Sequence, residues 1–366
     1  MNYYLNVEKQ RIVTKIMKTD KRHINIPVFI PHLGCPNMCV FCNQKTISGT
    51  VEFDRGSVRA LIDEALSTVP PDAETEIAFF GGSFTGIDRD LMIYLLDLAN
   101  EYVQGGRVGG IRLSTRPDYI NDEILEILRR YPVRTVELGI QSMDDGVLNA
   151  CRRGHTAAQS EHACRAVKAC GFELIGQMMT GLPGATPHSE VETARSICRL
   201  GADGARVYPT VVFCDTELCR MAQSGEYSIS DENEIVIRTK DVLAVFAEAG
   251  VPVIRVGLCA SENLADDSMV WGGANHSAVG ELAMGELYMD IISRSLTDRG
   301  VSGGSVVIAV PRGETSKAVG QKKKNTIRLR NKFSLCDIKF VEDDGLPIYN
   351  VVIKSYVPQR RIDHCT

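Results

Sequence analysis

Three cysteines stand close together near the start of the chain, at Cys35, Cys39 and Cys42. Their spacing, C-x3-C-x2-C, places three thiols in one short loop that follows an apolar run over residues 24–30. Thiolates are the usual ligands of iron–sulfur clusters, which normally take four of them. A loop that supplies three can hold three irons of a [4Fe–4S] cluster and leave the fourth open to a ligand that is not protein, as in catalytic metal sites. The spacing therefore predicts a cluster with one open position.

Two other interpretations of the three cysteines are a zinc knuckle that lacks a ligand and three buried thiols. The apolar residues between the cysteines argue against a solvent-exposed zinc hairpin, and no CxxC or CxxH pair occurs elsewhere to complete one. The other nine cysteines are scattered, and a second cluster built from Cys151, Cys164 and Cys170 is only a weak alternative.

Length and composition indicate an ordinary globular protein. The chain has 366 residues, 44% apolar and 24% charged, which allows two or three domains. Its first residues do not read as a secretory signal, and no run of about 18 apolar residues suggests a membrane span. Twelve cysteines without an export signal fit a reducing compartment, so we expect a cytoplasmic protein without a membrane partner.

Charge is distributed unevenly along the chain. The net charge of −5 argues against nucleic acid, but residues 312–332 carry eight lysines and arginines against one acid. Residues 9–22 form a second basic stretch. Local basic stripes are the electrostatic footprint of nucleic-acid binding, whereas a solvated charged face is the plainer interpretation.

Short apolar runs alternate with amphipathic stretches from residue 24 onward. This alternation predicts right-handed βαβ units and a mainly parallel sheet, with ligands at the carboxyl ends of the strands. A partial or full barrel and an open doubly wound sheet remain possible at this point. The predicted strands cover residues 24–30, 76–80, 110–114, 135–140, 172–179, 204–208 and 252–256, and the predicted helices cover 57–68, 89–104, 122–131, 156–170, 189–200 and 231–249.

Most of the predicted strands end in a polar or glycine-rich segment. Gly81 and Gly82 follow the second strand, where two glycines let the backbone approach a ligand closely, although a simple turn gives the same pattern. Similar segments follow later strands at residues 113–119, 136–142, 152–156, 177–184 and 206–210.

The cysteine loop, with Phe41 before its last cysteine, resembles that of the radical S-adenosylmethionine (radical SAM) superfamily. The strand-end segments, together with residues 214–218, resemble the radical SAM domain of the elongator catalytic subunit from about residue 26 to residue 256. This resemblance implies an α/β fold, a partial (β/α)6 TIM-type barrel. It also implies that Cys35, Cys39 and Cys42 hold a [4Fe–4S] cluster whose fourth iron chelates S-adenosylmethionine. A low-potential donor such as ferredoxin or flavodoxin would then start reductive cleavage and hydrogen abstraction from a substrate, most plausibly tRNA or another RNA.

The resemblance also implies contacts to the cofactor. A guanidinium matches a carboxylate, and a thioether packs well on an aromatic base. Plainer interpretations are that Met179 belongs to the core and that Arg153 pairs with Glu137. By position, Gly81, Gly82 and Ser83 would serve the methionyl amino group, Ser114 and Gln141 the ribose, Arg153 the carboxylate, Gln177 the sugar or its edge, and Met179 the adenine.

The chain departs from these families at three places. Ser83 stands where radical SAM proteins carry the last residue of a GGE-type motif. The first two cysteines are closer together than in elongator proteins. No acetyltransferase domain follows in this sequence, so acetyl transfer is not carried over.

The C-terminal segment has the predicted order β-α-loop-α-β-β, with strands at 305–310, 338–341 and 348–353. This order resembles a KH domain, whose GXXG loop clamps a nucleic-acid backbone. Lys323 replaces the second glycine of that loop, so we expect Gly320, Lys322, Lys323 and Lys324 to hold RNA phosphates. The predicted domains are a basic leader over residues 1–23, a barrel domain with a C-terminal extension over 24–300, and a KH-like domain over 301–366.

Three other functions remain open from the sequence. One is a radical SAM enzyme that acts on a tetrapyrrole, like coproporphyrinogen dehydrogenase; that family carries a further cysteine where this chain has Gln44. A second is a non-catalytic RNA-binding protein with a structural or sensing cluster. The third is a small-molecule enzyme whose C-terminal segment is only a lid.

Overall fold

The fold is described from a computed structural model, which places residues 23–30, 33–35, 39–43, 53–258, 269–276 and 278–358. Most of the predicted basic leader and Gln44 lie outside these described residues. None of the described helices is long and apolar enough to cross a membrane.

Seven parallel strands form the main sheet, in the order β1-β2-β3-β4-β5-β6-β8. The predicted α/β partial barrel is confirmed, and its two edges, β1 and β8, do not pair with each other among the described residues. The strands are β1 (His23–Ile30), β2 (Glu74–Gly81), β3 (Gly110–Thr115), β4 (Val133–Gln141), β5 (Glu173–Thr180), β6 (Gly204–Pro209) and β8 (Val253–Val256), while β7 (Val211–Phe213) pairs with β9 (Val270–Gly273) in a separate antiparallel ladder.

Helices follow the strands at the places that the apolar periodicity predicts. Seven of the eleven described helices begin where a polar side chain caps free backbone N–H groups; Asp88, for example, accepts from Leu91 N at 3.1 Å. Two short helices, α4 and α7, were not predicted from the sequence. The helices are α1 (Val58–Thr68), α2 (Arg89–Gln104), α3 (Asp122–Arg129), α4 (Asp145–Ala150), α5 (Ala157–Ala169), α6 (Pro187–Arg199), α7 (Glu217–Ser224), α8 (Glu232–Ala249), α9 (Val279–Asp298), α10 (Thr315–Val319) and α11 (Lys324–Phe333).

Charged side chains, rather than apolar ones, fill one end of the sheet's concave face. Arg112 donates to Glu76 at 2.9 Å and to Glu137 at 2.9 Å, and Arg206 donates to Glu137 at 3.0 Å, with a second ion-pair contact at 2.7 Å. His23 Nε2 lies 3.0 Å from the same Glu76. A buried charge is costly unless it is paired and hydrogen-bonded, and here each carboxylate has two partners. The network therefore links five strands across the interior.

The loop after β1 packs tightly on the end of β2. Gly82 N donates to Ile30 O at 2.7 Å, and Ser83 N donates to Leu33 O at 3.1 Å. A Cβ atom on Gly82 would lie 2.1 Å from Leu33 O, and one on Gly34 would lie 2.3 Å from Ser83 O. Only glycine fits at these two positions, so the glycine that follows β2 also fixes the start of the cysteine loop.

A second, smaller sheet forms the C-terminal lobe, in the order β11-β10-β12. Its strands are β10 (Ser305–Pro311), β11 (Asp337–Asp343) and β12 (Val352–Val357), with β10 and β11 parallel and β12 antiparallel to β10. The predicted order of elements is observed, but the last strand begins four residues later than predicted. Tyr349 has a φ of 62°, and Asn350 N donates to Pro347 O, so the chain turns where a strand was expected.

The interior ion network generates a stability prediction. Replacing Glu137 with Gln leaves Arg112 and Arg206 buried with one carboxylate fewer, and we expect a loss of about 3 kcal/mol in the free energy of unfolding. Urea unfolding followed by circular dichroism measures it. The control is Glu101→Gln, because Glu101 forms an exposed pair with Arg59. This substitution should lower the free energy of unfolding by less than about 1 kcal/mol. Equal losses in the two variants would contradict a structural role for the network.

The contact at Gly82 generates a second prediction. Its backbone φ is not in the left-handed region, so Gly82→Ala introduces only a steric clash with Leu33 O. We expect a loss of about 1–3 kcal/mol in unfolding free energy, the usual cost of overpacking. Gly345→Ala is the matched control, since the nearest atom to its Cβ is the Asp343 side chain at 3.3 Å. An unchanged urea midpoint for Gly82→Ala would show that the loop yields without cost.

Candidate active site

The three cysteines of the first loop lie at the carboxyl end of β1. Cys39 is buried, and Cys35 and Cys42 are half-buried. Within the described residues, no three His, Cys, Asp or Glu side chains are close enough together to hold a single metal ion.

Two short helices hold the cysteine loop from the opposite side of the barrel mouth. Val40 N donates to Cys151 O, at the end of α4, at 3.1 Å. Leu218 N, at the start of α7, donates to Val40 O at 2.8 Å. The Val40 side chain is buried in a small apolar cluster with Cys151, Leu182 and Leu218. The cysteine loop is therefore held by hydrogen bonds to the end of β2 on one side and to α4 and α7 on the other.

A buried arginine pair lies beside Cys39. Arg153 Nη1 lies 3.4 Å from Cys39 Sγ, and Arg153 Nη2 donates to Gly139 O at 2.7 Å. Arg116 donates to the carbonyl oxygen of Arg153 at 2.7 Å and to both carboxylate oxygens of Asp118 at 2.8–2.9 Å. A Cβ on Gly139 would lie 2.8 Å from Arg153 Nη2. Glycine at position 139 thus leaves the space in which the Arg153 guanidinium lies.

These guanidinium groups are placed to receive negative charge. Arg116 is 2% exposed and Arg153 is 7% exposed. Arg116 Nη1 and Arg153 Nε are buried and have no hydrogen-bond partner among the described residues. Burial raises the pKa of the Cys35 thiol, while the charges of Arg153 and Arg116 act in the opposite direction. A buried donor without an acceptor is costly, so the pocket suits an anionic group such as ligand thiolates or a carboxylate.

The neighbouring thiol of Cys151 has a different environment. It is buried, and burial raises its pKa to about 12, with the nearby Cys39 adding to the effect. Cys151 therefore stays protonated near neutral pH. His155, also buried, has its pKa lowered to about 4 by burial and by Arg153, so it is neutral. Neither group adds charge to the arginine pair.

Side chains at the carboxyl ends of the strands point to the concave face. Met178 is fully buried against the helices, whereas its neighbours Gln177 and Met179 are half-exposed on the other face, as is Ser114. Gln177 Nε2 lies 3.5 Å from Gln141 Oε1. Ser114, Gln141, Gln177 and Met179 therefore lie together at the carboxyl ends of three neighbouring strands, β3, β4 and β5.

Gln141 has a backbone conformation that is rare outside glycine. Its φ is 67°, and the register between β4 and β5 shifts between Gly139 and Gln141. Such a bulge re-aims a side chain, and left-handed non-glycine residues cluster at functional sites. The position of Gln141 thus depends on the tertiary structure and could not be deduced from strand alternation.

Ser83 is fully enclosed. Its hydroxyl lies 2.8 Å from Thr115 Oγ1 and accepts from Arg116 N at 3.2 Å. The side chain therefore ties the end of β2 to the end of β3. Any contact between residues 81–83 and a ligand would come from their backbone.

Sequence reasoning did not assign Arg116, Asp118 or Gly139 to the site. The segment 113–119 was singled out as a polar strand end, but nothing in it marked Arg116 as a buried side chain. The alternative pairing of Arg153 with Glu137 is not found, because Glu137 pairs with Arg112 and Arg206.

Several basic residues of the C-terminal lobe are paired with acids. Lys324 and Arg328 both bind Glu286, at 3.4 and 2.7 Å. Lys322 and Lys323 are exposed and have no carboxylate within 4 Å in the part of the chain that the structure describes. Both have left-handed backbone conformations, with φ of 51° and 62°. Two of the lobe's basic residues without a carboxylate partner among the described residues, Lys322 and Lys323, thus lie next to each other on the loop that was compared to a GXXG loop.

Two family models match the chain. The radical SAM superfamily model covers residues 29–197, and the Radical_SAM C-terminal domain model covers residues 202–289. Together they take in the whole barrel and the start of α9. The β10–β12 lobe lies beyond both.

Among curated proteins, the chain is 28% identical over 243 residues to an uncharacterized protein of Methanocaldococcus jannaschii, covering 62% of this chain and 73% of that protein. It is 24% identical over 281 residues to the tRNA uridine(34) acetyltransferase of the same organism, covering 64% of this chain and 52% of that protein. It is 28% identical over 256 residues to human Elongator complex protein 3, covering 59% of this chain and 47% of that protein. The chain thus spans about half the length of the last two.

The archaeal Methanocaldococcus infernus Elp3 is similar in structure, with a TM-score of 0.56 and 20% sequence identity. The match covers 77% of this chain and 64% of that one. It supports the fold of the barrel. The chain belongs to the radical SAM superfamily and is an enzyme of that family, whose cofactors are a [4Fe–4S] cluster and S-adenosylmethionine.

Proposed function

We propose that Cys35, Cys39 and Cys42 hold the [4Fe–4S] cluster and that the enzyme cleaves S-adenosylmethionine reductively to abstract hydrogen from an RNA substrate, most plausibly tRNA. The observation that carries the proposal is the position of Cys39 at 3.4 Å from the buried Arg153 guanidinium, with Cys35 also within the field of Arg153 and Arg116. When bound, the cluster would supply one electron and one open iron to the cofactor. A low-potential protein such as ferredoxin or flavodoxin would be the electron donor.

The residues around the cysteines would bind and orient the cofactor. Arg153 would hold its carboxylate, since one guanidinium nitrogen is unpartnered and the group is fixed by Gly139 O and by the Cys39 sulfur. Arg116 and Asp118 would hold Arg153 in place through its carbonyl oxygen. A buried, water-poor site strengthens such contacts.

The strand-end side chains would bind the rest of the cofactor. Ser114 and Gln141 would serve the ribose, Gln177 the sugar or its edge, and Met179 the adenine. In support, Met179 is half-exposed and packs beside the apolar cluster that contains Val40 of the cysteine loop. The amino group would be held by backbone atoms of Gly81, Gly82 and Ser83, because the Ser83 hydroxyl already bonds within the protein.

An RNA substrate is favoured by two separate observations. Two of the relatives above have names that refer to tRNA acetylation or to Elongator. The loop from Gly320 to Lys324 carries two lysines without a carboxylate partner among the described residues. Phosphate contacts from such lysines supply sequence-independent affinity. We propose that this loop binds the RNA backbone while the reacting nucleotide enters the barrel.

The cluster assignment predicts the behaviour of three variants. Replacing Cys35, Cys39 or Cys42 with Ala should remove a ligand, so anaerobically reconstituted protein should lose iron, cluster absorbance and formation of 5′-deoxyadenosine under dithionite. Cys198→Ala, a half-buried thiol of α6, is the control and should retain all three. Deoxyadenosine formed by any of the three variants, or uptake of zinc in place of iron by the wild type, would contradict the assignment.

The loop assignment predicts a change in salt dependence. The double variant Lys322→Ala/Lys323→Ala should bind unmodified tRNA more weakly. The slope of log affinity against log salt should fall by about 0.7 for each single-strand phosphate contact that is lost. Filter binding over a salt series measures both. Lys332→Ala, at the other end of α11, removes one positive charge outside the loop and should leave the slope unchanged. A wild-type slope near zero would remove RNA from the proposal.

A further inference from the structure

A cavity of about 340 Å³ lies between the first turns of α9 and the loop that joins α10 to α11. Its size is near the lower end of the range for small-molecule sites, which is enough for one nucleotide. It does not include the cysteines or the strand-end side chains described above. The residues that matter here are Glu281 and Leu282 from α9, Val319, and Lys322 and Lys323 from the loop.

The cavity holds charges of both signs. Lys322 and Lys323 are exposed, and within the described residues neither has a carboxylate within 4 Å. Glu281 is also exposed and has no basic partner there, unlike Glu286, one turn further along α9, which binds Lys324 and Arg328. A site for phosphate alone would not place an unpaired carboxylate in its wall. The ligand must therefore present an anion at one end and hydrogen-bond donors at the other.

The loop is held rigidly against the cavity. Asn325 is buried and donates to Gly285 O on α9 at 2.8 Å. A Cβ on Gly320 would lie 2.9 Å from the Asn325 side chain. Lys322 and Lys323 are both left-handed, a conformation that non-glycine residues retain only where the surroundings enforce it. The backbone that carries the two lysines is thus held at the rim of the cavity.

We propose that this cavity binds one unpaired guanosine of the RNA, in a step that rests on the proposed RNA function. Lys322 and Lys323 would bind the phosphates on its 5′ and 3′ sides, and Leu282 and Val319 would pack on the base. Glu281 would accept from the adjacent N1–H and N2–H groups of guanine. That edge suits a carboxylate because it presents two donors side by side, whereas uracil presents one. The cavity would therefore select a guanosine at a fixed distance from the reacting nucleotide.

The test uses fluorescence anisotropy with the reconstituted full-length chain and three labelled RNA heptamers. Each heptamer is uridine except for a central G, A or U. We expect the wild type to bind the G-containing heptamer about tenfold more tightly than the all-U heptamer, as for one bidentate base contact. Glu281→Gln should remove this preference and leave the affinity for all-U unchanged within about twofold.

Matched variants separate recognition from general charge effects. Asp298→Asn changes the charge by the same amount at the far end of α9 and should retain the preference for guanosine. Lys322→Ala/Lys323→Ala should weaken binding of all three heptamers. Free GMP at the concentration of the heptamers should not compete, because it lacks the flanking phosphates. Strong competition by GMP would assign the cavity to a free nucleotide and overturn the proposal.

The remaining outcomes each decide the question. A preference for guanosine that survives Glu281→Gln, or an equal loss for all three heptamers, would overturn the proposal. Binding of tRNA without any base preference would also overturn it and leave the RNA function intact. Failure to bind any RNA, the heptamers and tRNA included, would overturn the RNA function and this inference with it. Thermal melting by circular dichroism confirms that each variant is folded.

Discussion

The close approach of the cysteine loop to the end of β2 is the contact on which the site depends. β1 is an edge strand with one neighbour, so its loop has strand contacts on one side only. The bond from Gly82 N to Ile30 O, at 2.7 Å, fixes the loop on that side. Val40, bonded to Cys151 and Leu218, fixes it on the other. Since these two attachments come from opposite parts of the barrel, the positions of the cysteines relative to the later strands depend on the whole fold.

The buried arginines of the barrel, Arg112, Arg206 and Arg153, have different partners. Glu137 forms ion pairs with both Arg112 and Arg206, so the charges on this part of the concave face are largely balanced. Arg153 has no carboxylate partner among the described residues and lies against Cys39. A chain in which Glu137 paired with Arg153 would have neutralised the positive charge beside the thiols. The pairing of Glu137 with Arg112 and Arg206 therefore leaves the positive charge of Arg153 available to an anion.

The sequence predicted the order and nearly the bounds of the seven strands in the main sheet, because buried parallel strands and amphipathic helices leave a strong local pattern. It did not predict the short strands β7 and β9. It also predicted the cysteine loop, whose spacing is local. Features that depend on long-range contacts could not be predicted. The lack of a side chain at Gly139 matters only because the Arg153 guanidinium occupies that space. The direction of the Gln141 side chain follows from a bulge between β4 and β5. The shifted last strand has the same cause, since the turn at Tyr349 interrupts an apolar run.

One helix carries the connection between the barrel and the C-terminal lobe. On α9, Ala283 and Leu287 belong to the barrel core, whereas Tyr288 and Ile292 belong to the core of the lobe. Asn325 adds a hydrogen bond from the loop region to Gly285 of the same helix. A helix shared by two cores resists bending, because bending would open both. The loop that carries Lys322 and Lys323 is therefore held at a set distance from the barrel mouth. An RNA bound at that loop could place next to the cofactor only a nucleotide that lies at the same distance along the RNA. The nucleotide that reacts would then be selected by this distance as well as by its chemistry.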